Sequence, residues 1–418
     1  MSPPILIKNA RLLTMCGADG SVPGLKGRRG ADVGTLGIKD DHDLLVLDGR
    51  IAEITPAGAA PSERRREAMS GCKLIDAHRA VVMPGFVDSH THACWAGSRL
   101  DEWERKLKGA TYLEIMASGG GIMSTVRAVR EASVGELACD LLMRLGRLVG
   151  HGTTTAEVKS GYGLTTEHEL KMLEAITQSR ECSPGGIVAT ALLGHAIDGD
   201  ERAFVDRTIN ETLPAVSAAH PGVAVDAYCE RGAWSVDDTT RLLEAASDRG
   251  HSVRVHADQF TALGMLDVAI GLGARSVDHL EASTPEGLAA LARSETFGVM
   301  LPACGFHLDS RYGKGRAFLD AGGKLALATN LNPGSAPCFS MPMVIALAVR
   351  HMGLSVAEAI GATTSNAAAL LGLSDRGYLA AGAWADLIML AHEDERQLGY
   401  EIGGNPVELV IIGGRVIE

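Results

Sequence analysis

Aromatic residues make up only 4% of the 418-residue chain, and nowhere do Lys and Arg gather into a block. With a formal charge of −12 and no basic footprint, binding to nucleic acid or to an anionic membrane is not expected. The eight cysteines, at 16, 72, 94, 139, 182, 229, 304 and 338, include no C-x-x-C pair. That scatter fits reduced thiols in the cytoplasm better than a disulfide or zinc framework. No run reaches the ~18 apolar residues a membrane span needs, and the N-terminus MSPPILIKNARLL lacks the apolar core and cleavage site of a secretory signal. Low-complexity segments and fixed-period repeats are missing too. These absences leave a cytoplasmic protein with a small-molecule partner.

What is present is a hydrophobic content of 46% and 50 glycines, many of them between apolar runs. This is the punctuation of a fold with many short strand-to-helix connections. Residues 1–80 carry β-like segments (PILIKNARLLTM, DLLVLDGRIAEITPA) around a Gly- and charge-rich stretch, 17–43, that reads as an exposed loop. From 81 onward, short apolar or β-branched runs alternate with helical-period segments such as ASVGELACDLLMRLGRLVGHG, the pattern of parallel strands with crossover helices. After 372 the text returns to β-like runs, GAWADLIMLA and VELVIIGGRVIE. The organisation predicted is α/β: a (β/α)8 TIM-type barrel over 81–372 and a small β-sandwich domain assembled from 1–80 and 373–418.

Eight runs read as barrel strands: VVMPGFVD, TTTAEVKS, GIVATALLG, VAVDAYCE, SVRVHAD, RSVDHLE, GVMLPA and KLALATN. At or just past their ends stand His90 and His92, Lys159 with Tyr162, His195, Cys229 and Glu230, His256, His279, Cys304 and Asn330. Barrels of this type build their site from the C-terminal ends of the strands. An open doubly wound sheet, the alternative, would put the chemistry at one switch point.

Side chains at i and i+2 of an extended segment point the same way, so His90 and His92 can bring two imidazoles to one point. Neutral imidazole suits Zn(II) or Fe(II), and a catalytic site takes about three protein ligands plus an open position. His256, ending the fifth strand, is the expected third ligand. His195 and His279 also sit at strand ends and can orient substrate, polarise a carbonyl or move a proton. His78, His151, His168, His220, His251 and His392 are read as surface or hydrogen-bonded core residues. GGGI at 119–122 is not followed by a phosphate-loop lysine and says little alone.

PGFVDSHTH resembles the metal signature of the amidohydrolase superfamily. SRLDEWERKLKGATYLEIMASGGGIMSTV, EVKSGYGL, VHADQ, SVDHLE and NLNPGSAPCFSMPM together resemble the imidazolonepropionase family, in consistent order over most of the chain. The resemblance implies hydrolytic ring opening of 4-imidazolone-5-propanoate to N-formimidoyl-glutamate in histidine breakdown, with one divalent metal, zinc or iron, and a homodimer. It implies that His90, His92 and His256 are metal ligands and that Arg99, Tyr162 and His195 meet an anionic imidazolone-type substrate. A guanidinium can clamp the propanoate carboxylate in a bidentate pair. Tyr112 would add a hydroxyl there, or else pack a helix. Gln259 would contact the ring, Asn332, Gly334 and Ser335 would hold the amino-acid part of the ligand, and His279 would assist at the carbonyl.

One position departs from the resemblance. The family pattern is A-T-D-x-N-P, whereas this chain reads Ala328-Thr329-Asn330-Leu331-Asn332-Pro333. An Asn oxygen can still lie near a metal, but it cannot accept a proton at neutral pH. Losing a positioned general base costs on the order of 10²–10⁴ in rate. Three accounts fit: a substitution introduced to trap substrate, a natural homologue with altered chemistry, and a protein that binds without turnover. The presence of the other site residues favours the first. A related amidohydrolase that deaminates or opens another heterocycle, and a catalytically silent ligand-binding homologue, are the competing functions.

Overall fold

A computed structural model describes residues 3–109, 114 and 119–417. Two sheets organise the chain. The first is mixed and eight-stranded, built from β1 (Ile5–Leu13), β2 (Ile38–Leu47), β3 (Arg50–Pro56), β4 (Lys73–Asp76) and β5 (Val81–Pro84) at one end of the sequence. The second comprises β6 (Phe86–Asp88), β7 (Thr153–Lys159), β8 (Gly186–Gly194), β9 (Ala224–Cys229), β10 (Arg254–Ala257), β11 (Ser276–His279), β12 (Phe297–Met300) and β13 (Leu325–Leu327). The chain then returns to the mixed sheet as β14 (Leu387–Leu390), β15 (Val407–Ile412) and β16 (Arg415–Ile417).

Strands β6 to β13 lie in sequence order and all adjacent pairs are parallel. The seam between first and last is joined past the strand ends, where Thr91 bridges Leu331 and the Asn330 N–H donates to the His90 carbonyl at 3.0 Å. Below it, Asp88 accepts the Thr329 N–H at 3.1 Å and the Thr329 hydroxyl at 2.5 Å. Burial, chiefly, pushes the Asp88 carboxyl up to about 7. Seven of the eight runs read from the sequence each supply one barrel strand. They are apolar because both faces are covered, by helices outside and by neighbouring strands inside.

The helices show the complementary pattern. Val134–Gly150 starts at a capping box formed by Ser133 and Glu136 and buries Leu137, Leu141, Leu145 and Leu148, a stripe at helical spacing. Each such leucine contributes roughly 1.5–3 kcal/mol by leaving water.

VVMPGFVD is the exception among the eight runs. It is two strands in two sheets, because β5 pairs with β1 and β14 and only β6 joins β7. The switch falls at Pro84-Gly85, and a side chain at Gly85 would put its Cβ 2.1 Å from the Thr154 methyl. Through β5 the N- and C-terminal segments share one sheet, ordered β16-β15-β14-β5-β1-β2-β3 with β4 on β1.

The stretch 17–43 is not simply an exposed loop. It contains a short helix, Gly30–Gly34, with Val33 fully buried, and already enters β2 at Ile38. The Arg28 backbone N–H donates to Asn366 Oδ1 at 2.8 Å, and the Arg29 guanidinium reaches the Ala292 carbonyl at 2.9 Å, so the stretch satisfies groups beneath the barrel. That side, opposite the strand C-termini, is the stability face of such a barrel.

Candidate active site

His90 and His92 follow β6, and His256 lies within β10. Their ligand atoms come within 4.8 Å of one another, and all three side chains are buried. His92 Nε2 and His256 Nε2 are 3.3 Å apart. Metal–nitrogen bonds of roughly 2.0–2.1 Å in a tetrahedron give an N–N edge of about 3.3 Å, so this pair fits a zinc-sized cation. His90 Nδ1 faces Asp278 Oδ2 at 2.6 Å, which leaves its Nε2 buried with no hydrogen-bond partner among the described residues. Asn330 Oδ1 is another buried atom without one. Burial pushes His90, His92 and His256 below the ordinary histidine value, toward the neutral form a metal requires.

Beneath the imidazoles lies a charge network. Asp226 Oδ1 is 3.1 Å from His256 Nδ1, and Lys159 Nζ donates to Asp226 Oδ2 at 2.8 Å and to Glu157 Oε1 at 2.6 Å. Arg254 donates to Asp278 Oδ2 at 2.6 Å and to Glu157 Oε1 at 3.2 Å. All five charged side chains are almost wholly out of water. Three carboxylates against two cations leave one negative charge under three neutral imidazoles, a balance that a divalent cation above them would complement. Carboxylates behind imidazole ligands fix the ring tautomer and raise ligand basicity.

A cavity of about 600 Å³ opens at the strand C-termini. His92, Tyr162, His195, His256, Gln259 and His279 line it, with Arg99, Asn330, Asn332, Gly334 and Ser335. The His195 ring stacks on His92 with centroids 5.1 Å apart and accompanies Tyr162 at 5.0 Å. Its Nδ1 lies 2.9 Å from the Gly161 carbonyl, and burial lowers it to about 3, so it is a neutral ring. Burial likewise keeps the Tyr162 hydroxyl protonated.

Arg99 pairs with Glu102 at 2.6 Å, and its guanidinium lies beside Gly334, where a Cβ would be 3.4 Å from it. Asn332 uses its amide on its own loop. Its Nδ2 donates to the Asn330 carbonyl and Ser335 Oγ, and its Oδ1 accepts the Gly334 and Ser335 N–H groups. Its contribution is the shape of the cavity wall. Tyr112 lies outside the described residues.

Two backbone features mark the far side of the mouth. His279 and Leu280 take φ of 92° and 72°, a conformation costing non-glycine residues on the order of 1–3 kcal/mol each. Asn330 takes φ of 55°, a left-handed value that Asn and Asp tolerate best, so the backbone itself restricts what this position accepts. His279 Nδ1 is 3.2 Å from Glu281 Oε1.

The structure brings His92, Arg99, Tyr162, His195, Gln259 and His279 together at the mouth and sets Lys159, expected there with Tyr162, in the network beneath it, among four residues the sequence reading did not single out: Glu157, Asp226, Arg254 and Asp278. Their signal was present as charged residues inside otherwise apolar strands, with Glu157 and Lys159 two apart and so on one face.

The amidohydrolase family pattern matches residues 81–417. An imidazolonepropionase of Herpetosiphon aurantiacus is 46% identical over 403 residues, covering 93% of both chains. One from Deinococcus radiodurans is 46% identical over 388 residues, covering 93% of this chain and 94% of its own. Among solved structures, a 5-methylcytosine deaminase from Klebsiella pneumoniae superimposes with a TM-score of 0.74 over 99% of this chain and 97% of its own. At 19% identity that likeness shows the fold alone.

Proposed function

The chain belongs to the amidohydrolase family and, within it, to the imidazolonepropionases, and from that premise we propose that it hydrolyses the cyclic amide of 4-imidazolone-5-propanoate to N-formimidoyl-L-glutamate. The observation that carries this reading to individual residues is the convergence of His90, His92 and His256, of which His92 and His256 line a cavity with Arg99 on its wall. His90, His92 and His256 would hold a divalent cation, zinc or iron, which would supply a water of lowered pKa and polarisation of a carbonyl.

The chain's own residues do the rest. Arg99 and Tyr162 take the propanoate carboxylate, Arg99 by turning part of its fork from Glu102 to the substrate. His195, neutral and stacked against His92, and Gln259, whose Oε1 accepts the Tyr228 hydroxyl at 2.9 Å, hold the ring. Gly334 and Ser335, shaped by Asn332, close the wall. The oxygen of water joins the ring carbonyl carbon as water gives up a proton, the carbon–nitrogen bond breaks, and that proton passes to the departing nitrogen. His279, a cavity side chain with Glu281 at its Nδ1, carries it.

Asn330 has no part in proton transfer, because an amide oxygen does not take up a proton at neutral pH. In this reading the chain is slowed at that step and retains its binding geometry. The Asn330→Asp variant is expected to open the ring on the order of 10²–10⁴ times faster, followed as loss of the imidazolone chromophore. The comparison uses preparations of equal metal content. No turnover by either protein, with metal bound, would sink the assignment. Equal turnover by both would show that position 330 does not supply the base.

A further inference from the structure

At the ends of β11 and β12, three side chains bring an imidazole nitrogen, a carboxylate oxygen and a thiol sulfur within 4.8 Å of one another: His279, Glu281 and Cys304. The side chains of His279 and Glu281 are 4% and 5% exposed, and Cys304 is 2% exposed. Glu281 Oε1 faces His279 Nδ1, whereas Glu281 Oε2 is buried with no hydrogen-bond partner among the described residues. A bare carboxylate oxygen at this depth is costly unless something positive faces it. The hydrolysis described above makes no use of that oxygen.

The sulfur is prepared as an acceptor. Gln259 Nε2 donates to Cys304 Sγ at 3.4 Å, and the amide is held in that sense because its Oε1 accepts the Tyr228 hydroxyl. Burial first, and the Glu281 carboxylate after it, push the Cys304 thiol up, so without a neighbouring cation the sulfur keeps its proton. A coordinated cation reverses that balance, since a thiol bound to zinc is deprotonated outright.

We propose that His279, Glu281 and Cys304 form a second divalent-cation site, of the zinc class, beside the three-imidazole site, and that filling it withdraws His279 from proton transfer to the departing nitrogen and slows turnover. Imidazole nitrogen, carboxylate oxygen and thiolate sulfur are the donors zinc takes. On binding, the metal–sulfur bond replaces the sulfur–hydrogen bond and the proton leaves to solvent. Tetrahedral edges around zinc are about 3.3–3.6 Å, so the three donors close by roughly 1 Å from their outer separation. The inhibitory part rests on the role of His279 in the proposed function, whereas the binding part does not.

The test is a cobalt titration of the full-length protein, with bound metal counted by elemental analysis and thiolate ligation read from the sulfur-to-cobalt charge-transfer absorption. The first equivalent, at three imidazoles, is expected to bring no such band, and the second to bring it. Cys304→Ser is expected to remove the band and weaken the second equivalent at least tenfold while the first stays bound. Glu281→Gln, a variant that keeps the thiol, is expected to weaken the second equivalent as well. Zinc beyond one equivalent should slow ring opening relative to each protein's own one-equivalent rate, and Cys304→Ser should blunt that inhibition. Saturation at one equivalent, or a second equivalent indifferent to Cys304→Ser, would overturn the site. A protein that stops at one equivalent yet opens the ring keeps the proposed function and refutes the second site. One that takes both equivalents and opens no ring does the reverse.

Discussion

Two buried carboxylates, Asp226 in the barrel and Asp386 beside the mixed sheet, end up shifted in opposite directions although burial works against the charge on both. In the barrel, burial works against the charge on Asp226, yet His256 and Lys159 hold its carboxyl well below the usual range. In the mixed sheet, Asp386 just ahead of β14 is 4% exposed and burial pushes it up to about 6, with the Gly413 N–H at 2.8 Å and Arg376 at 3.3 Å only partly offsetting the loss of water. Depth is similar and the surroundings differ. Asp226 shares its cavity floor with a lysine whose sole described partners are two carboxylates, while Arg376 is also engaged by Asp375 and Thr155. Charge on Asp226 is thus held in place by its ionic partners, and charge on Asp386 is tolerated at a cost.

The largest effect expected from breaking this contrast is at Lys159. Lys159→Met keeps volume and removes the cation between Glu157 and Asp226, leaving buried charge uncompensated at a cost of about 3–5 kcal/mol. Chemical denaturation should show that loss, and a midpoint unchanged from the parent would mean the floor is not held by pairing.

Asp386→Asn probes the other side. A carboxyl raised from about 3.9 in the unfolded chain to about 6 in the fold keeps a proton that unfolding would release. Its stabilising contribution is therefore complete below about pH 4 and is lost as pH rises toward 6, by roughly 3 kcal/mol at most. The stability difference between Asp386→Asn and the parent should move in favour of the variant over that window and then level off above it. A pH-independent difference would refute the unequal treatment of the two carboxylates.

How much of this was legible in the sequence follows from how local each signal is. His90 and His92 announce themselves through a spacing of two at the end of an apolar run, and His256 through its place at the end of a strand. The eight-strand count survived the misreading of VVMPGFVD, because Pro84-Gly85 divides it between sheets without removing a barrel strand. The stretch 17–43 misled because glycine and arginine look the same in sequence whether they face water or bind carbonyls beneath a barrel. Asp278 and Arg254 were hidden for a different reason. Their meaning depends on the register that sets His256 against Asp278 and Arg254 against Ser276, and on Asp278 meeting His90 across 188 residues of chain. No local pattern carries such a pairing. Asn332, expected from its NPGS context to meet ligand, lines the cavity, and the bonding of its amide within its own loop is a feature no local pattern carries either.

The smallest of these effects sharpens the contrast most, because it separates the floor's role in stability from its role at the metal site. Asp278 Oδ2 serves both His90 Nδ1 and Arg254, while its Oδ1 has no partner among the described residues. In Asp278→Asn the shape and one acceptor oxygen persist, and Arg254 keeps Glu157, so the fold should lose little. His90, however, would lose the negative charge that orients its ring and raises its basicity, and removing such a partner typically weakens metal binding about 10–100-fold. Competition with a chelator, read against denaturation of the same preparations, distinguishes the cases. Weaker metal retention with near-parental stability would show that the carboxylate acts through the imidazole. Parental retention with lowered stability would mean that Asp278 only neutralises Arg254, and that the three imidazoles need no charge behind them.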